Sequence, residues 1–448
     1  MLFSSLEFLY LFLPISIGGY FLCPKVAKNF WLFAISLVFY AFGEPVYVFL
    51  MLITVFLNYI FAIIMEKRRG RKRYILFCVI IIDIGLLGFF KYYNFFASLI
   101  SLPTVDLPLP IGISFYTFQT LSYVIDVYRG EVRAEKSFVS FGAYVALFPQ
   151  LIAGPIVRYS DISRELSERK HSVGDVAEGS ARFCVGLSKK VLIANGAGAL
   201  YEILSPKDDV LSLIAGLFFY AMQIYYDFSG YSDMAIGLGR IFGFKFPENF
   251  NYPYISGSIT EFWRRWHITL SSWFREYVYI PLGGNRKGRS RMYINLFIVW
   301  SLTGLWHGAS LNFVLWGIYF FVILVAEKAF LLGYLKRAPK LVCHGYTITL
   351  ILVGWLIFSA DGSLLSELSF KPLTIDQTTL YTLLRNLPYM IIMLIGVTPL
   401  PKRIFEGLRE DRPLLGLTLR NILSVCALLL CTAYLADEGY NPFLYFRF

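Results

Sequence analysis

The sequence predicts an all-α integral membrane protein with about twelve transmembrane helices, and three observations lead there. Of its 448 residues, 57% are hydrophobic, 18% aromatic and only 16% charged, a balance outside the range of a soluble domain of this length. The apolar stretches are long and show no strand-like alternation, so the backbone polar groups are satisfied inside helices and not between barrel strands. Lys and Arg gather in short loops between those stretches, which is the positive-inside pattern. The net charge of +11 therefore reads as topology, and no nucleic-acid partner is expected.

Taken in order, Leu2 to Leu22 is apolar from its first residue, has no basic leader and no small-residue cleavage site before Cys23; it reads as a retained span. Asn29 to Phe42 and Val46 to Met65 follow. The run from Glu66 to Arg73 holds six cations and anchors that loop in the cytoplasm. Counting back from it puts Lys25 and Lys28 inside and the N-terminus outside. Tyr74 to Ile100 crosses outward, and Ile111 to Tyr128 returns to Arg129, Arg133 and Lys136. Phe138 to Ile156 contains Pro149, Gly154 and Pro155 between two basic stretches, which predicts a re-entrant or surface-lying hairpin. Two pairs come next, Arg182 to Leu204 with Val210 to Phe228, then Tyr293 to His307 with Leu311 to Leu332. Tyr346 to Ala360 crosses to a loop bearing Asp361, Glu367, Lys371 and Asp376, and Tyr381 to Leu400 returns to Lys402, Arg403, Arg409 and Arg412. Leu414 to Ala436 is the last span and leaves the C-terminus external. No inverted repeat or linker divides the chain, so one polytopic membrane domain over 1–448 is expected.

The six cysteines are scattered without C-x-x-C or a histidine at ligand spacing, so neither a disulfide framework nor a metal site is predicted. G-x-S-x-G, Walker and H-E-x-x-H patterns are absent from the sequence, which removes the corresponding hydrolase, ATPase and metalloprotease readings. Of the four histidines, His171 lies in a polar loop and His344 at the mouth of a span, where solvated or capping roles suffice. His307 is different. The fifteen residues from Tyr293 to His307 cover about 22 Å at helical rise, short of a ~30 Å hydrocarbon core, so His307 lies within the membrane on a Gly-broken turn. An ionisable group at that depth either ties helices together or lines a functional cavity. A near-neutral imidazole suits general base catalysis, taking the proton of a hydroxyl as its oxygen attacks a thioester or ester carbonyl.

His267 sits in the stretch from Thr260 to Arg275, where Phe262, Trp266, Thr269, Leu270 and Trp273 share a helical face and Arg264, Arg265 and Arg275 lie mostly elsewhere. This predicts an interfacial helix with an aromatic anchor. From Arg240 to Arg291 there are nine Lys or Arg against three acids, suited to anionic lipid or to an anionic acyl donor such as a coenzyme A thioester or an acidic carrier protein. The Pro281 to Gly288 loop, with Asn285, offers backbone amides for phosphate. Asp126, Asp227, Asp233 and Glu261 are the acids nearest apolar segments, placed to orient a histidine or to pair with arginines. The ending from Asn441 to Phe448 is aromatic where polar residues are the norm. It is a belt anchor, or it tucks into an outer cavity and brings the Tyr445 hydroxyl towards His307 as a covalent acyl relay.

Leu109 to Gln119, Phe148 to Ile156, Asp227 to Ala235, Phe262 to Ser271, Tyr279 to Asn285, Gly304 to Gly308 and the Pro442 to Phe448 ending together resemble the bacterial membrane-bound O-acyltransferases. Within that family the likeness is to the alginate O-acetyltransferase branch, related to D-alanyl transfer proteins and peptidoglycan O-acetyltransferases, and it covers nearly the whole chain. The resemblance implies an outward funnel joined to a cytoplasmic tunnel, with His307 at the meeting point and His267 as a second functional position on the cytoplasmic side. It further implies a bacterial cell-membrane enzyme with no permanently bound cofactor. The donor is acetyl-CoA or another acyl thioester, and the acyl group passes to an exported or membrane-anchored acetyltransferase that modifies a polysaccharide or cell-wall polymer. On this reading Arg264, Arg265, Arg275 and Asn285 shape the donor side. The alternatives are D-alanyl transfer from a carrier protein and a transporter of lipid or acyl intermediates that makes no bonds.

Overall fold

A computed structural model describes residues 1–360, 376–437 and 443–444, and every regular element among them is helical. Eight helices are long and apolar enough to cross a bilayer, from Lys25–Gly43 to Pro413–Asp437, and a bent pair, Gln377–Arg385 with Leu387–Gly396, adds a ninth if counted as one span. The expected twelve is larger for identifiable reasons. Phe8–Leu22 is short, Ile113–Arg129 has seventeen residues, and Arg289–His307 begins with Arg-Ser-Arg. The spans present apolar side chains outward, among them Phe49, Phe77, Leu414 and Leu429, as lipid requires of the surface facing it.

The chain forms two compact units. The first comprises Met1–Phe183 and Tyr231–Glu248. Its core is a cluster of rings: Phe3 stacks on Tyr231 at 4.7 Å and Phe148 meets Phe12 edge-on at 5.2 Å. In Ile113–Arg129 fourteen of seventeen residues are buried, which explains how a helix carrying Ser, Thr and Gln stays inside the protein. The Phe138 to Ile156 segment breaks at Leu147, ahead of Phe148-Pro149, into Phe138–Ala146 and Phe148–Leu151. Phe141 to Ile156 is buried throughout, so the surface-lying form is excluded.

The second unit comprises Cys184–Gly230 and Asn249–Phe448. Its centre is aromatic: Trp263 meets Trp300 at 4.9 Å and Trp316 at 5.4 Å, and Trp266 meets Trp355 at 5.0 Å. The helices Arg289–His307 and Leu311–Ala326 cross at Gly304 and Gly317. A Cβ on either would run into the other helix's carbonyl oxygen, of Phe313 or Trp300, and would stand 3.4 Å from the facing glycine's Cα. Only hydrogen at both positions permits this approach.

The expected single interfacial helix around His267 is two helices, Ile259–Arg265 and Ile268–Phe274. Its aromatic face is no membrane anchor, because Phe262, Trp263 and Trp266 are buried in the core of the unit. The first of these helices is pinned by Glu327, a fully buried carboxylate on the Leu311–Leu335 span. The backbone N–H groups of Ile259 and Thr260 each donate to it at 2.7 Å, and the Thr260 hydroxyl at 2.6 Å. A carboxylate on orphan amides at a helix start stabilises that end by charge and by hydrogen bonding.

Candidate functional site

His307 is the last residue of Arg289–His307, before Gly308 leaves the helix with extended backbone. Its helix starts four residues before Tyr293. The glycine crossing sets where the helix ends relative to its neighbour, and thereby where the imidazole stands. That ring is buried, 8% exposed, and edge-on to Trp306 (5.1 Å), Trp316 (5.1 Å) and Phe358 (5.2 Å). It lines a cavity with Asp227, Trp266, Trp316, Trp355, Phe358 and Leu444, about 390 Å³ of space with its open mouth included. Apolar walls with a few convergent polar groups are the usual make-up of a small-molecule site. Trp316 contributes a buried indole N–H with no hydrogen-bond partner among the described residues.

His267 packs against Trp306 as well. Its ring lies 5.8 Å from Trp306 and 4.7 Å, edge-on, from Phe228, so the structure brings the two histidines to one tryptophan. Its backbone is left-handed, φ 43°, which costs energy for a residue with a Cβ and persists where neighbours enforce it. Asn249 is that neighbour. Its Oδ1 accepts from the Thr269 N–H (3.2 Å) and hydroxyl (2.9 Å), and lies 3.1 Å from His267 Nδ1. A backbone N–H can only donate, so that Asn249 atom is oxygen and Nδ1 carries the proton facing it. His267 is then the Nδ1–H tautomer, with Nε2 left as a buried lone pair that has no partner among the described residues. Burial pushes the imidazole down to about 3, so it is neutral at any physiological pH.

Phe443 and Leu444, the described residues of the ending, lie by this cavity. Leu444 is in its wall and donates its N–H to Asp227 Oδ2 at 2.7 Å. Asp227 Oδ1 is 2.7 Å from Lys190 Nζ, both side chains being almost wholly buried, and that ammonium lies 4.8 Å from the Phe443 ring centroid. Tyr445, predicted as a relay, lies outside the described residues.

The remaining candidates separate clearly. Asp233 pairs with Arg182 at 2.9 Å and Glu261 with Arg265 at 2.8 Å, so these two acids hold arginines; Asp126 is buried. Arg265 also donates to the Asn251 carbonyl, and Arg264, Arg275 and Asn285 are exposed. In the Pro281 to Gly288 loop the N–H groups of Gly283, Gly284 and Arg286 donate to nearby carbonyls, so those amides are not free to cradle phosphate. His344 is exposed. His171 is part-exposed and also bonds Tyr20 at 3.0 Å.

Asn249, Lys190, Trp316 and Glu327 went unnoticed in the sequence. For Lys190 and Glu327 a signal existed, since a charge inside an apolar run implies a partner or a cavity. Asn249 and Trp316 carried none, because their roles come from contacts distant in the chain.

Among the described residues the chain is helical with membrane-length apolar helices, and it seats a buried imidazole in an aromatic cavity, the make-up of a membrane protein with a small-molecule site. The chain belongs to the MBOAT, or membrane-bound O-acyltransferase, family, whose sequence pattern matches residues 129–369, and it is an O-acyltransferase. It is 38% identical to the probable alginate O-acetylase AlgI of Pseudomonas putida over the whole of both chains. It is 36% identical to the peptidoglycan O-acetyltransferase of Helicobacter pylori over 81% of this chain and 77% of that protein. With the teichoic acid D-alanyltransferase of Bacillus subtilis it shares 28% identity over 49% of this chain and 59% of the other.

Proposed function

We propose that this protein takes an acetyl group from a cytoplasmic thioester, acetyl-CoA or a similar donor, and passes it across the bacterial cell membrane for O-acetylation of an external polysaccharide or cell-wall polymer. The observation that carries this reading is Leu444 in the wall of the His307 cavity, since Tyr445 is the next residue in the sequence. His307 is the general base. It removes the proton of the attacking hydroxyl while that oxygen bonds to the acyl carbon, the C–S bond breaks, and the departing sulfur takes up the proton. The Tyr445 hydroxyl is the first acceptor, and a second transfer moves the acyl group to an exported or membrane-anchored transferase that completes the modification. The Trp316 N–H is suited to stabilise the oxygen that gains charge during attack. His267, neutral and held by Asn249, is a positioning residue that supports Trp306 and the donor side, with Arg264, Arg265, Arg275 and Asn285 towards the cytoplasm. The six cations from Lys67 to Arg73 support a cytoplasmic loop there and external termini.

Acetyl is preferred over D-alanyl because the O-acetylating relatives match far more of the chain, at higher identity, than the D-alanyl-transferring one. The test is ester-linked acetate on the cell's surface polymers, with labelled donor followed into the protein. His307→Ala is expected to lose acyl transfer altogether while expressing normally, and Tyr445→Phe to lose the labelled adduct. Persisting polymer acetylation in His307→Ala overturns the assignment, and labelled D-alanine in the polymer with no acetate replaces it by the carrier-protein reading.

A further inference from the structure

Away from the His307 cavity, in the first unit, cations converge on one tyrosine. Lys28 Nζ lies 4.4 Å from the Tyr20 ring centroid, and the Arg169 guanidinium lies 5.7 Å from the same ring and 4.7 Å from that of Phe244. Tyr20 donates its hydroxyl proton to the Phe242 carbonyl at 2.8 Å, so at the 3.0 Å contact with His171 Nε2 the imidazole must be the donor. Tyr20 thus sits among three nitrogen bases, with no carboxylate on it.

The charges are not balanced locally. Arg169 Nη2 donates to Asn29 Oδ1, a neutral acceptor, while Nη1 is buried without any hydrogen-bond partner among the described residues. Among those residues neither Lys25, Lys28 nor Arg169 forms an ion pair. Asp175, the carboxylate whose charge reaches His171, is already engaged by Arg240 at 3.1 Å. Burial first, then the Lys28 and Arg169 charges, hold the His171 imidazole below its usual range. A buried guanidinium N–H with no acceptor costs on the order of 1–3 kcal/mol unless something supplies one, and a fork beside an ammonium suits a phosphate.

The neighbouring residues indicate its source. Phe21 and Leu22, at the end of Phe8–Leu22, and Val26, on the turn that leads to Lys28–Gly43, are 42%, 88% and 94% exposed. Apolar side chains beside unpaired cations at the end of two membrane helices match an amphiphile, whose chains cover the one and whose headgroup meets the other. We propose that Arg169 and Lys28, with Lys25 at the rim, hold the phosphate of an anionic ligand, and that the exposed apolar turn makes a lipid headgroup its source. The site is independent of the acyl-transfer reading.

The full chain in neutral maltoside micelles is titrated with phosphatidylglycerol, phosphatidylcholine and inorganic phosphate, and bound lipid is counted by native mass spectrometry. Phosphatidylglycerol is expected to fill one saturable position about tenfold more tightly than phosphatidylcholine. Lys28→Gln and Arg169→Gln should each weaken it by about tenfold, whereas Lys402→Gln, an exposed lysine of the other unit already paired with Glu406, leaves it unchanged. Arg169→Lys, which keeps the charge and loses the fork, should fall between. Should Arg169→Gln fail to fold, Lys28→Gln carries the test, since Lys28 forms no ion pair among the described residues. Equal retention of both lipids, or undiminished phosphatidylglycerol in the folded Gln variants, overturns the proposal. Displacement of the lipid by millimolar inorganic phosphate overturns the lipid source in favour of a soluble phosphate.

Discussion

Lys190 and Asp227 illustrate what one residue does in a membrane interior. Each charge alone is costly there, and together they form a pair that also accepts the Leu444 N–H and faces the Phe443 ring. Removing one partner leaves the other buried and uncompensated. Lys190→Met is therefore expected to destabilise the protein by about 3–5 kcal/mol, and Lys190→Met with Asp227→Asn to recover much of that, because breaking a buried pair costs more than replacing it. Thermal unfolding in detergent reads both. Acyl transfer stays impaired in the double variant if the pair's role is to hold the tail, and full activity there would remove that role.

His267 supplies a second test at this scale. Its native value of about 3 lies below the ordinary 6.5, so between those values the unfolded chain binds a proton that the folded chain refuses. Stability then rises with pH across this window and is lost as pH falls below about 6.5. His267→Gln has no such proton to bind, and its melting temperature is expected to decline less steeply from pH 7 to pH 4.5 than that of the parent. Equal slopes would show that His267 titrates normally.

At the scale of elements, the crossing of Arg289–His307 over Leu311–Ala326 decides where the His307 imidazole sits, and the Gly304 and Gly317 pair decides the crossing. Gly317→Ala is expected to force the helices apart, costing about 1–3 kcal/mol as overpacking does. Acyl transfer should fall more sharply than stability, because a shift of about 1 Å at a reacting group costs on the order of a hundredfold in rate. Comparing the melting temperature with the turnover rate separates the two effects; if both are unchanged, the crossing is not tight. Glu327 acts at the same scale by fixing the start of Ile259–Arg265, and the tandem of short helices depends on it as much as on its own aromatic pattern.

For the whole molecule, the alternation of basic loops and apolar helices predicts which side each loop occupies. A cysteine placed at Gly70, in the run of six cations from Lys67 to Arg73, is expected to react with a membrane-impermeant maleimide only after cells are permeabilised, in a background whose exposed Cys78 and Cys426 have been replaced. Labelling of intact cells would reverse the topology and place the donor side outside. The answer bears directly on the proposed reaction, in which the thioester and the polymer stand on opposite faces.

Composition and periodicity were enough to identify a helical membrane protein, and a lone histidine after Trp306 at the end of an apolar stretch marks His307 as a candidate, because an ionisable group inside a membrane needs a reason. The motif likeness extended this to the family. The sequence alone could not reveal that the helix around His267 breaks at a left-handed residue, that its aromatic rings face the protein core and not the lipid, or that Asn249 selects the tautomer of His267. Nor could it join Lys190, Asp227 and Leu444, which stand far apart in the chain. Periodicity reports which face of a helix is apolar, and protein and lipid are equally apolar partners. Only tertiary packing chooses between them, and only packing brings Leu444 to the Asp227 carboxylate.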